Sequence, residues 1–332
     1  MAEQKFVESL EDLTGRIFIV TGGAAGIGLE TTIYLASKGA TVYVASRNAE
    51  KCKEGIASAK RRLAGLGGPI HFHHLDLSSI AGATASALEF KKIASRLDVI
   101  VCNAGINMTS LDTLSKDGYE TMFATNHLGH FTFVTSLLDL LEQTARAHGE
   151  ARIVVTSSTA YLMSSKLDYE SLTKSVPDDM KSIWDIKAAF TRYASSKLAN
   201  VYFTAELDRR LREKSVQNIY CNSCHPGIAP NTGLGAGGPN PLGPLGEKVV
   251  RKLFEPFANS LEDSAKTQVH LAASQDVRER KSHGEHWMPR WSWTRAYKGC
   301  RPEALTSLGK NEQEQKKLWQ FSEQAVQRAF GS

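Results

Sequence analysis

The sequence has no apolar run near the roughly 20 residues that a membrane-spanning helix needs, so no such span is expected. It also lacks a paired set of cysteines. Five are spread over 332 residues with no signal peptide apparent ahead of them, which argues against a secreted disulfide scaffold and for a reducing compartment, the cytoplasm. No basic stripe interleaved with aromatics is present. The formal charge is +5, and the clusters Lys60-Arg61-Arg62 and Arg209-Arg210 with Arg212 lie in amphipathic stretches beside acidic residues. They read as solvated helix faces, not as a nucleic-acid footprint. No Gly-x-Ser-x-Gly elbow is present, so the sequence shows no signature of a serine hydrolase. Cys221 and Cys224 have CxxC spacing but lie in an apolar run that reads as a strand, where residues three apart face opposite sides. His71 and His73 share a strand face with no thiol or carboxylate beside them, so no metal site is expected.

What is present is a core-forming composition, 42% hydrophobic and 23% charged, enough for one large globular domain. From Arg16 onward, short apolar runs alternate with long helical patterns. Strands are predicted at Ile17-Phe18-Ile19-Val20 and over 41–45, 70–75, 97–102, 152–156 and 219–224, with an amphipathic helix over 28–38. Strands that are almost wholly apolar belong in a sheet covered on both faces, so the repeated strand-helix-strand units predict a Rossmann-type, doubly wound parallel α/β sheet. Ligands of such sheets bind beyond the carboxyl ends of the strands. The unusual residues fall there: Thr21-Gly22-Gly23-Ala24-Ala25-Gly26-Ile27-Gly28 after the first strand, Asn103-Ala104-Gly105 after the fourth, and Ser157-Ser158 after the fifth.

The glycines at 22, 26 and 28 join a strand to a helix, where missing side chains and bare amides suit a pyrophosphate. Farther along, Tyr193 and Lys197 are four apart, one turn on the same helix face. An ammonium near a phenol favours the phenolate and is expected to lower the Tyr193 pKa toward neutrality. Thr-Gly-x-x-x-Gly-x-Gly, Asn-Ala-Gly, a serine, Tyr-x-x-x-Lys and Pro-Gly, in this order, resemble the short-chain dehydrogenase/reductase family. The resemblance covers residues 14 to about 275. Thr125-Asn126-His127-Leu128-Gly129-His130-Phe131 and Ser196-Lys197-Leu198-Ala199-Asn200 are similar to its retinol dehydrogenase and WW-domain oxidoreductase branch, although no WW domain is apparent.

The resemblance implies a nicotinamide dinucleotide across the glycine loop, contacted by Gly22, Gly26, Ile27, Gly28, Asp76, Leu77, Asn103, Ala104, Gly105, Tyr193, Lys197, Gly227, Ile228 and Thr232. Asn231 is an alternative to Thr232, because Pro-Gly-x-x-x-Thr is stretched by one residue. It implies Tyr193 as the proton donor and acceptor, Lys197 as its electrostatic partner, Ser158 as the group bonding the substrate oxygen, with Ser157 second, and Asn126 as a holder of relay water. Cys102 stands where an asparagine is usual and is read as a buried residue, not a nucleophile. At the end of the second strand Ser46-Arg47 replaces the acidic residue that would bind a ribose 2′-hydroxyl. A guanidinium suits a 2′-phosphate, so NADP(H) is expected in preference to NAD(H).

The expected activity is oxidoreduction of a carbonyl or secondary alcohol on an apolar small molecule, such as a specialised metabolite. A silent nucleotide-sensing scaffold and an isomerase or dehydratase are the competing readings. The domain is expected over 14–275, with an N-terminal extension over 1–13, a C-terminal cap over 276–332, and substrate loops over 159–192 and 228–260. The first loop is expected to form a flap at the cleft rim, and the second, with six glycines and three prolines over 233–246, a lid. Trp287, Trp291 and Trp293 are too many large aromatics for water and should cover something apolar. The last helix, from about 311, carries Leu318, Phe321 and Val326 and reads as an edge brace. A homodimer is expected from the resemblance.

Overall fold

The computed structural model describes residues 6–107, 112–175, 183–227, 258–292 and 297–331. Among these residues eight strands form one sheet: β1 (Ile17–Thr21), β2 (Thr41–Ser46), β3 (Ile70–His74), β4 (Val99–Cys102), β5 (Ala151–Thr156), β6 (Ile219–Cys224), β7 (His286–Trp291) and β8 (Tyr297–Glu303). Their order is β3-β2-β1-β4-β5-β6-β7-β8, so the chain reverses direction across the sheet between β1 and β4. All neighbouring pairs are parallel except β7 with β8.

β4, β5 and β6 are buried along their whole length, as their apolar sequences require. Alternation divides them between two cores. Ile100, Cys102, Ile153, Val155 and Cys221 pack with Phe90, Phe131 and Phe203 on one face. Val99, Val101, Val154, Tyr220 and Cys224 pack with Leu35, Val269 and Trp287 on the other. Cys221 and Cys224 are therefore on opposite faces, as their strand position predicts, and all five cysteines are free thiols. Cys102 is fully buried, which pushes its thiol pKa up.

The helices are α1 (Gly26–Ser37), α2 (Ala49–Arg62), α3 (Ile80–Ile93), α4 (Gly129–Ser136), α5 (Leu138–His148), α6 (Ile183–Glu213), α7 (Leu261–Ala273), α8 (Gln275–Glu279) and α9 (Glu312–Ala329). α2 and α3 begin on side-chain caps: Asn48 accepts from the Lys51 amide and Ser79 from Gly82. α1 has no such cap. A helical turn over Thr121–Phe123 and a π-helical segment over Ala124–Leu128 lead into α4, and Asn126 sits in that widened turn.

Two expectations need correction. β7 and β8 extend the sheet beyond the six predicted strands. α9 is not a brace on the sheet edge, which β8 forms; it lies on the α6 layer, with Trp319 against Phe131 and Phe203 at centroid separations of 5.0 and 6.1 Å. Phe321 and Val326 are only partly buried there. Within the expected flap, Tyr161, Leu167 and Leu172 are buried in the same cluster as Leu198 and Tyr202, so that stretch is packed structure as far as residue 175.

Candidate active site

The carboxyl ends of β1, β4 and β5 and the middle of α6 enclose a cleft of about 310 Å³. Its floor is the glycine loop. Gly22 has φ +66°, a left-handed conformation that suits glycine, and a side chain there would meet Ala104 at 3.2 Å. A Cβ on Gly28 would stand 2.3 Å from the Gly22 carbonyl oxygen and 2.5 Å from Asn103 Nδ2, so only glycine lets α1 close on the loop. Asn103 Nδ2 donates to the Thr21 carbonyl at 2.9 Å, and the Ala104 amide donates to Thr21 Oγ1 at 2.9 Å, tying the end of β4 to the end of β1.

Beneath this floor lies a buried polar layer that the sequence did not announce. His130 Nδ1 must donate to the Asn126 carbonyl at 3.0 Å, since a carbonyl only accepts. Its Nε2 is then the acceptor for the Thr21 hydroxyl at 2.9 Å. Burial lowers the His130 pKa to about 4, which keeps this tautomer uncharged. Gln268, from α7, joins three elements: its carbonyl accepts from Thr156 Oγ1 at 2.9 Å, and its amide donates to Asn103 Oδ1 at 3.2 Å and to Thr31 of α1.

Tyr193 and Lys197 are buried on one face of α6, and Lys197 Nζ lies 5.6 Å from the Tyr193 ring centroid. The ammonium donates to the Thr156 carbonyl at 3.1 Å. The Ser158 side chain stands close enough to the Tyr193 phenol to oppose the rise in its pKa, and its hydroxyl accepts the Ala160 amide at 3.2 Å, which starts the turn Thr159–Met163. Ser157 is turned away, donating to the Lys197 carbonyl at 2.8 Å. Asn126 is fully buried: Oδ1 accepts from the Ile106 amide at 2.8 Å, while Nδ2 donates to the Ile106 carbonyl and to Ser196 Oγ, both at 3.0 Å.

The electrostatics reverse one expectation. Burial pushes the Tyr193 phenol up to about 12, against the lowering contributed by Ser158, so desolvation sets the direction of the shift. Lys197 itself is depressed by burial to about 8. The resting site therefore holds a protonated phenol.

The residues present fit a dinucleotide. Ala25 leaves the first amides of α1 without a side-chain cap, the first turn of α1 holds no acidic residue, and Gly22, Ala25, Ile27 and Gly28 line an open cleft. At the other end, Asp76 is raised by burial but lowered more by hydrogen bonds from Ser78 and by the charges of Arg47 and Lys116, so it stays ionised beside an exposed Arg47.

Of the expected residues, Gly22, Ile27, Gly28, Asn103, Ala104, Gly105, Ser158, Tyr193, Lys197 and Gly227 line the cleft. Gly26, Arg47, Asp76, Leu77 and Asn126 stand outside its lining. Gly26, at φ +54°, turns the loop into α1. Leu77 is buried, its carbonyl so close to Gly129 that a Cβ there would come within 2.3 Å. Ile228, Asn231, Thr232, Trp293 and the 233–246 segment lie outside the described residues. Ser157 and Thr156, the alternatives to Ser158, also line the cleft, as do Ala25 and Pro226, which had no expected role there. Among the described residues no group of histidine, cysteine and carboxylate side chains has the arrangement of a metal site, and no helix is long and apolar enough to cross a membrane.

Comparison with known proteins agrees with this geometry. Residues 16–168 match the family profile described as short chain dehydrogenase. A short-chain dehydrogenase/reductase of Armillaria gallica is 34% identical over 96% of this chain and 92% of its own length. Retinol dehydrogenase 14 of Mus musculus is 31% identical over 94% and 86%. Among solved structures, an uncharacterised protein from Mycobacterium paratuberculosis superposes with a TM-score of 0.70 at 26% identity, covering 97% of both chains. The Pseudomonas aeruginosa RhlG/NADP active-site complex gives 0.58 at 25% identity, covering 83% of this chain and 94% of that one. The chain belongs to the short-chain dehydrogenase/reductase family and is an oxidoreductase of that family, with an NAD(P) cofactor and small-molecule substrates.

Proposed function

We propose that the protein is an NADP(H)-dependent oxidoreductase that interconverts a ketone or aldehyde and an alcohol on an apolar small molecule, such as a specialised metabolite, in the cytoplasm. The observation that carries this reading is the convergence of Ser158, Tyr193 and Lys197 on one cleft, with the Lys197 ammonium 5.6 Å from the Tyr193 ring, beside an uncapped glycine cradle. The nicotinamide supplies or accepts the hydride when bound. The chain supplies the proton and the geometry. In reduction, the Tyr193 hydroxyl gives its proton to the carbonyl oxygen as negative charge develops there. Ser158 donates a hydrogen bond to that oxygen. The buried Lys197 ammonium stabilises the phenolate left behind, an effect strengthened by the low dielectric around it. Asn126 fixes the Gly105–Ile106 segment over Lys197 and holds the relay water through which the proton is replaced.

Arg47 supports the choice of NADP(H). It is exposed at the end of β2, where a fixed positive charge is available to a 2′-phosphate, and RhlG was solved with NADP. Gly22, Gly26, Ile27, Gly28, Asp76, Leu77, Asn103, Ala104 and Gly105 complete the nucleotide seat, with Gly227 toward the nicotinamide; Ile228 and Thr232, outside the described residues, keep their proposed role as nicotinamide contacts. A homodimer would have to form on a face other than the one α9 covers on α6. The test is incubation with NADPH and a panel of apolar ketones and aldehydes, followed at the nicotinamide absorbance. Oxidation of NADPH dependent on a carbonyl substrate is expected. Tight NADPH binding with no turnover across the panel and in the alcohol direction would overturn the reading in favour of a silent scaffold.

A further inference from the structure

Next to the cleft runs a second groove, of about 460 Å³, that the mechanism above does not use. β6 ends at Cys224, in register with Trp287, whereas β7 continues to Trp291, so the β7–β8 hairpin rises past the carboxyl edge of the sheet. One face of this hairpin carries Met288 with its cross-strand partner Arg301, and His286 with Glu303. Arg290, in the irregular register between Pro289 and Trp291, lines the same groove. The opposite wall is Thr159, Tyr161 and Leu162. The groove meets the cleft at two places. Thr159 follows Ser158 directly, and Trp291 packs on Gly227 so closely that a Cβ there would meet the indole at 2.9 Å.

Three features of the groove have no internal explanation. Leu162 is 52% exposed on an otherwise packed turn. His286 is buried with Nδ1 against Ser223 Oγ at 2.9 Å, and its Nε2 has no hydrogen-bond partner among the described residues. Arg290 is exposed and makes no ion pair among the described residues, while Arg301 has only an exposed contact with Glu303 at 3.5 Å. Two guanidiniums against one carboxylate leave a single positive charge at the rim of an apolar trough.

We propose that this groove seats the distal end of the substrate and selects one that ends in a carboxylate: an oxo-acid or hydroxy-acid with an apolar chain lying along Tyr161, Leu162 and Met288. This rests on the oxidoreductase reading for the reacting carbon at Tyr193. One uncompensated guanidinium matches one carboxylate, and a dianionic phosphate end would be left half-neutralised against Glu303. The apolar walls account for the chain.

Two readouts test this. The first is binding without turnover, followed by quenching of Trp291 emission as the signal lost in Trp291→Phe. Decanoate is expected to bind about tenfold or more tighter than decanol or decyl phosphate, and Arg290→Glu with Arg301→Glu is expected to remove that advantage. The second is the ratio of kcat/KM for 9-oxodecanoate to that for its methyl ester with NADPH. A ratio of about ten or more is expected, falling toward one in the double variant. Equal binding of decanoate and decanol, tighter binding of decyl phosphate, or a preference that survives the charge reversal overturns the proposal. Selective decanoate binding with no reduction of either oxo compound upholds the carboxylate seat and contradicts only the placement of a C9 carbonyl at Tyr193.

Discussion

Lys197 and Gln268 grip the same residue from opposite sides: the ammonium donates to the Thr156 carbonyl at 3.1 Å, and the Gln268 carbonyl accepts from the Thr156 hydroxyl at 2.9 Å. The end of β5 is thereby fixed between α6, which carries the phenol, and α7. Through Thr31 and Asn103 the same glutamine also fixes the nucleotide cradle.

Gln268→Leu fills nearly the same volume but leaves Asn103 Oδ1 and the Thr156 and Thr31 hydroxyls short of a partner in a buried layer. A loss of about 1–3 kcal/mol is expected from urea unfolding midpoints, together with weaker NADPH binding in fluorescence titration. Unchanged stability and affinity would show that the bracket is incidental.

The activity should fall with alkaline pH. Burial lowers Lys197 to about 8, so the ammonium is present below that pH and is lost as pH rises through it, while Tyr193, raised to about 12, stays protonated. The expected kcat/KM for carbonyl reduction is flat near neutrality and declines above about pH 8. The sign distinguishes this from unfolding. Between its folded value of about 8 and its ordinary 10.5, Lys197 binds fewer protons folded than unfolded, so its contribution to stability increases with pH over that window. Stability measured alongside activity checks the separation.

Arg47→Asp should shift the cofactor preference toward NAD(H), by about tenfold or more in the ratio of kcat/KM values for NADPH and NADH. A ratio unmoved by the substitution would assign Arg47 to the surface.

Trp319→Ala should cost about 3–5 kcal/mol, because it opens a cavity between Phe131, Phe203 and the Arg210 guanidinium, which lies 4.4 Å from the indole ring. Chemical denaturation measures the loss, and a cost below about 1 kcal/mol would mean that α9 is dispensable to the core.

The central sheet was legible because its strands are buried on both faces and so contain little but apolar residues; β6 matches its predicted range, and α1 opens two residues before the predicted start. β7 and β8 were not legible. His286–Trp291 contains a proline and two tryptophans in place of a β-branched run, and Tyr297–Glu303 contains Gly299 and Pro302, which suits an edge strand, as β8 is among the described residues. Tyr193 and Lys197 announced themselves by spacing on one helix. Gln268 is far in sequence from every group it holds, and His130 from Thr21, so neither carries a local sign of that partner. The direction of the Tyr193 shift was also beyond the sequence, since spacing places a charge nearby but does not reveal how deeply the phenol is buried.

The most direct measurement is Tyr193→Phe, which removes one oxygen and leaves the ring that packs on α6. With NADPH and a carbonyl substrate found by screening, turnover should fall by at least about a hundredfold, while the NADPH dissociation constant stays within about threefold of the parent value. Turnover near the parent level would contradict the assignment of Tyr193 as the proton donor and, with it, the account of the site.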